Sequence, residues 1–191
     1  NVRVAADSHR PGPLTVADVL ALPEVQLGRP QVVAGADALD TAVRWVHVSE
    51  LPDIAGLLRG GELVLTTGVA LPSAEPELAR YVTDLADGGA AGLVVELGRR
   101  FTSRLPAAMV RAARAQRLPL IVLTRETRFV RITEAVHARI SEGQIAELRM
   151  TTRVHEEISQ LAEDGAGVDE IVRTAARLAD RPVVLENLAH Q

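Results

Sequence analysis

Short apolar runs recur along this chain, and most of them end on a polar residue or a glycine. Residues 44–48, 62–65, 92–97 and 120–123 are such runs. Runs of this length, apolar at successive positions, predict strands buried on both faces, as in a parallel sheet. Between them the apolar spacing widens to three and four. Residues 75–86 place Leu78, Tyr81, Val82 and Leu85 on one helical face and stop at Gly88-Gly89. Residues 105–116 do the same with Met109, Val110 and Ala113, with Pro106 accommodated in the first turn. Residues 52–58 read as one or two helical turns, and Gly60-Gly61 as the turn into the next strand. Strand alternating with crossover helix predicts an α/β fold: a small three-layer domain with a mostly parallel sheet.

The flanks add smaller pieces. Residues 1–13 mix polar residues with Pro and Gly and read as a mobile leader. Thr15 and Asp18 have the spacing of a capping pair for a short helix bearing Val16, Val19 and Leu20. Residues 31–34 are a further candidate strand closed by Gly35, so the α/β domain spans 14–128. Residues 129–164 contain no Pro and only Gly143 as a breaker, which predicts a long connecting helix. Its apolar positions Leu148, Ile158 and Leu161 would be exposed once the helix leaves the small domain, and a partner chain is the simplest cover, hence a homodimer. Residues 165–191 hold a linker, an amphipathic helix and a strand at 182–185, too little for a core of their own, and read as the opening of a second domain.

Composition narrows the function classes. The formal net charge is −4 and aromatic residues make up only 2 %, which argues against non-specific grip on phosphate backbones and against base stacking. Cys is absent, so disulfides, thiolate catalysis and Cys-ligated metals are excluded. No apolar run approaches the roughly 20 residues that a membrane-spanning helix needs, so a cytoplasmic protein without cofactor or metal is expected. No nucleophile elbow, P-loop or HExxH pattern occurs.

Candidate chemistry gathers where the strands end. In a parallel α/β sheet the loops beyond the carboxyl ends open into a crevice, and ligands collect there. Those ends carry Ser49 and Glu50, Thr66, Thr67 and Gly68, Glu96 with Arg99, and Thr124 with Arg125. Arginine forks and hydroxyls suit a small polar molecule bearing ureido, carboxylate or amide groups. The same residues also serve as ordinary helix caps and first-turn carboxylates. Arg125, Arg128 and Arg131 share a helical side and read as a solvated face paired with Glu126 and Glu134. His137 reads as a solvated helix residue, and His47 as a buried imidazole donating to a backbone carbonyl.

The segments VRWVHVSELPD, LRGGELVLTTG and LPLIVLTRETRFVRITEAVHARI resemble the N-terminal domain of purine-catabolism-regulator (PucR) type bacterial transcription factors, over residues 14–140. The resemblance implies a sensory and assembly domain followed by a middle GAF-like region, of which 165–191 would be the start. It also implies a C-terminal helix-turn-helix for DNA, which is not visible in this sequence, and effectors among purine-degradation products and other nitrogen-rich metabolites. Two other readings stand beside it: a dimerisation module without ligand, and a small-metabolite enzyme with Glu50 or Glu96 as general base.

Overall fold

The computed structural model describes residues 12–179. Residues Gly12–Ser141 form one compact unit, and the chain from Glu142 belongs to another. Thr15 opens the first. Its side chain accepts the Asp18 N–H while the Asp18 carboxylate takes the Thr15 N–H at 2.8 Å, a reciprocal cap for α1 (Val16–Ala21). The Thr15 hydroxyl, and then its backbone N–H, hold the Asp18 carboxyl below its ordinary range. Pro23 starts α2 (Pro23–Gln26), where its missing N–H costs nothing.

The sheet follows: β1 (Pro30–Ala34), β2 (Trp45–Val48), β3 (Glu62–Thr66), β4 (Gly92–Glu96) and β5 (Leu120–Leu123). Their order is β1-β5-β4-β3-β2. The pairs from β2 to β5 are parallel, and only β1 runs antiparallel, against β5. A 3₁₀ turn at Ile54–Leu57 links β2 to β3, while α3 (Glu75–Asp87) and α4 (Ala107–Ala115) make the next two crossovers. Pro106 stands one step earlier than expected, as the residue capping α4.

Each face of the sheet carries its own core, because successive side chains of a strand point to opposite sides. Val64, Leu93, Val95, Leu120 and Val122 pack under Leu78, Tyr81, Val82 and Leu85 of α3 and Met109 and Ala113 of α4. Leu63, Leu65, Val94, Ile121 and Leu123 meet Val16 and Val19 of α1, Val25 of α2, and Ile132 and Val136 of α5 (Phe129–Glu163) on the other face. The architecture is therefore helix, sheet, helix. The sequence places the end of the α/β domain at residue 128, but the first turns of α5 belong to it, since Ile132 and Val136 are fully buried.

In the second unit α5 continues to Glu163, and Gly165, at φ 73°, turns the chain into α6 (Val168–Ala179). Of the apolar residues on the outer half of α5, Ile145 is 50 % and Leu148 is 68 % exposed, whereas Ile158 and Leu161 are partly covered. The expected strand at 182–185, and the leader up to residue 11, lie outside the described residues.

Candidate functional site

Parallel pairing of β2 through β5 brings their carboxyl ends to one edge of the sheet, with Val48 beside Leu65, Thr66 beside Val95 and Glu96 beside Leu123. Two carboxylates organise that edge, in two separate networks.

The first belongs to Glu50. Its Oε1 accepts the Thr67 N–H at 2.7 Å and its Oε2 accepts the Thr66 hydroxyl at 2.8 Å. The Thr66 oxygen in turn accepts the Gly68 N–H at 2.9 Å. Thr66 is fully buried, and Ser49, also buried, accepts the Leu51 N–H at 3.1 Å. Gly68 sits at φ 75°, and a Cβ there would stand 2.9 Å from the Phe101 ring, so glycine is required on both counts. Glu50 thus ties the end of β2 to the end of β3, while the Ser49 and Thr66 oxygens each hold the turn that follows their own strand. Tyr81 lies within reach of the Glu50 charge: burial pushes its phenol pKa up, and that carboxylate adds to the shift.

The second network belongs to Glu96, whose residue is 3 % exposed. Its Oε2 accepts the Thr127 N–H at 2.7 Å, and its Oε1 lies 3.9 Å from Nε of Arg99. Arg99 reaches on to Glu126, with Nη2 at 3.1 Å from Oε1. Around them is an open crevice of about 720 Å³, walled by Thr67 and Val69 after β3, Glu96 and Arg99 after β4, and residues 126–129 leading into α5. Thr67, Glu96 and Arg99 therefore converge on one space. Arg125 does not: its N–H is tied to the Gly28 carbonyl at 3.1 Å, and beside it the Thr124 hydroxyl donates to the Arg29 carbonyl at 3.2 Å.

Among the described residues no group of three His, Cys, Asp or Glu side chains could hold a metal ion, and no helix is long and apolar enough to cross a membrane.

Residues 18–140, which contain both networks and the whole sheet, match the model of the purine catabolism regulatory protein-like (PucR) family. The chain belongs to that family. It is similar to the purine catabolism regulatory protein of Bacillus subtilis, 23 % identical over 172 residues that make up 90 % of this chain and 32 % of that protein. It is also similar to the transcriptional activator PmfR of Paenarthrobacter nicotinovorans, 26 % identical over 75 % of this chain and 30 % of the activator. The PucR-family chain thus spans about a third of the length of these relatives, both of which are named as regulators. A solved structure of the CBS and DRTGG domains of a Clostridium perfringens pyrophosphatase regulatory region, complexed with the activator diadenosine tetraphosphate, overlaps 68 % of this chain and 47 % of its own. That overlap has 10 % identity and a TM-score of 0.41.

Four features of the PucR-family domain were not foreseeable residue by residue. Glu126 pairs with Arg99 across the crevice rather than with its neighbours along the helix. Arg128, expected on a solvated face, helps to wall the crevice together with Phe129. His137 is not a free surface residue: its Nε2 accepts the Val46 N–H at 3.3 Å. His47, expected to be buried, is only partly so.

Proposed function

We propose that this regulatory domain is the sensory and assembly part of a PucR-type transcription factor. It binds a small polar effector in the crevice at the carboxyl edge of the sheet and pairs with a second copy through the outer half of α5. DNA contact falls to a helix-turn-helix that these residues do not include. The observation that carries the sensory reading is the convergence of buried Glu96, Arg99 and residues 126–129 leading into α5 on one open space. Carboxylate acceptors, guanidinium donors and the Thr67 hydroxyl there match a ligand with ureido, carboxylate or amide groups. The exposure of Ile145 and Leu148 supports the assembly reading independently.

The enzyme reading lacks a comparable observation. Glu50 is engaged by Thr66 and Thr67, and Glu96 by Thr127 and Arg99, so each carboxylate has a structural task, and no group of three His, Cys, Asp or Glu side chains that could hold a metal ion stands beside either among the described residues. A thermal-shift screen of the intact chain against a metabolite panel tests the sensory reading. At least one compound should raise the melting temperature in a concentration-dependent way without being consumed. No shift from any member would remove the sensory role and leave the assembly role.

A further inference from the structure

Arg99 is shared between two carboxylates of different standing. Glu96 is buried and fixed, with one oxygen on the Thr127 N–H and the other 3.9 Å from Nε of Arg99. Glu126 is 81 % exposed and holds the other end of the same guanidinium at 3.1 Å. An exposed pair of this kind exchanges readily, because water competes for both partners and two long side chains must be held still. The same crevice is lined by Arg128, whose guanidinium has no carboxylate partner among the described residues. Its natural partner by sequence, Glu126, is the one that Arg99 has taken.

We propose that the crevice takes the carboxylate or phosphate group of a small organic ligand between Arg99 and Arg128, with that group replacing Glu126 on Arg99. The proposal rests on the sensory reading above and narrows it to a ligand class. Charge decides the sign. With Glu126 in place the lining balances two carboxylates against two guanidinium groups; once Glu126 swings into solvent, Glu96 alone faces Arg99 and Arg128, and one negative charge completes the set. Glu96 does not compete for the position, since its own oxygens are committed to Thr127 and Arg99. Val69, 55 % exposed, and partly buried Phe129 offer the ligand's body an apolar wall beside the charged end. Glu126 lies just ahead of α5, so the exchange acts on the root of that helix.

The test is a titration of the intact chain with benzoate, benzamide and inorganic phosphate at constant ionic strength, followed by amide chemical shifts. Benzoate or phosphate should move the signals of Thr67 and Thr127 saturably, and benzamide, the neutral isostere of benzoate, should not. Response to benzoate alone assigns a carboxylate ligand; response to phosphate alone assigns a phosphate. Arg128→Gln should weaken that binding about tenfold, and Glu126→Gln should strengthen it roughly two- to fivefold by removing the competitor. Both side chains are exposed, so the melts of the two variants should match the parent. Weaker or unchanged anion binding in Glu126→Gln overturns the proposal, as does indifference to Arg128→Gln, or the failure of both anions to bind. If the metabolite panel then yields only neutral ligands, the sensory reading stands and the anion assignment alone falls.

Discussion

Val46 donates its N–H to Nε2 of His137 at 3.3 Å, and the neighbouring Trp45 ring lies against the same imidazole with centroids 3.9 Å apart. β2 is an edge strand, so its outward amides have no further strand to bond. A helix fills the role instead. Accepting a hydrogen bond requires Nε2 to be unprotonated, which selects the neutral imidazole with its proton on Nδ1. Burial already favours that form, holding the His137 pKa below its ordinary value.

A pH dependence follows. The folded pKa of His137 lies below the unfolded one, near 6.5, so the contact contributes fully above that value and is lost as pH falls from there through the folded pKa. The depressed Asp18 carboxyl acts in the same direction, but only below its ordinary value of 3.8. Urea midpoints measured at pH 7.5 and 5.5 should therefore fall together with the His137 charge. In His137→Gln, which keeps an acceptor and loses the titration, the drop between those pH values should shrink. An equal drop in both proteins would dissociate His137 from the acid sensitivity. His137→Ala should cost about 1 kcal/mol at pH 7.5 through the unpaired Val46 amide.

Glu50 is expected to act on stability rather than on ligand affinity. Removing its side chain leaves the Thr67 N–H and the buried Thr66 hydroxyl without their acceptor, and hydrogen bonds to a charged group are each worth about 1.5–3 kcal/mol. Glu50→Ala should thus lower the unfolding free energy by about 2 kcal/mol or more, and Glu50→Gln by less, since one amide oxygen still accepts. A Glu50→Ala chain that melts like the parent would mean the turn after β3 is held by other contacts.

The strands were legible because parallel strands buried on both faces must be apolar throughout, and 62–65, 92–97 and 120–123 have no other reading. The Thr15 and Asp18 cap was legible for a different reason: the two groups lie within one turn, so spacing alone determines the contact. The carboxyl-edge residues could be placed on one side of the sheet in the same way, but not their partners. Glu50 meets Thr66 and Thr67 across neighbouring strands, and Arg99 meets Glu126 across a crevice, distances that no local pattern encodes. His137 shows the limit most clearly. It follows buried Val136 on α5, and only the position of an edge strand 91 residues away gives its ring a task.

Glu96 ties the start of α5 to the end of β4, and its loss should be felt locally. Glu96→Ala removes the acceptor of the Thr127 N–H and leaves Arg99 with exposed Glu126 as its carboxylate partner among the described residues. Amide exchange at Thr127 and in the first turn of α5 should accelerate roughly tenfold or more, as expected for a lost bond worth over 1.4 kcal/mol. Exchange in β3 and in α3 should hardly change. Uniform acceleration would instead mark Glu96 as a determinant of the whole fold.

The assembly reading makes the most direct prediction. Ile145 and Leu148 stand three residues apart on α5, hence on one helical face, and both are at least half exposed. Large aliphatic side chains so placed favour a second apolar surface over water, and a copy of the same helix supplies one. Cutting the chain ahead of α5 would not test this, because Ile132 and Val136 belong to the core of the α/β unit. Substitution in the intact chain does. Leu148→Glu places a charge where the interface would be dry, and should raise the dimer dissociation constant at least about tenfold, while the melt of the α/β unit stays close to that of the parent. Light scattering over a concentration series reads the difference. A parent chain that remains monomeric at tens of micromolar would leave the exposed face of α5 without a homodimeric role, and a dimer insensitive to both Leu148→Glu and Ile145→Glu would place the interface on another surface.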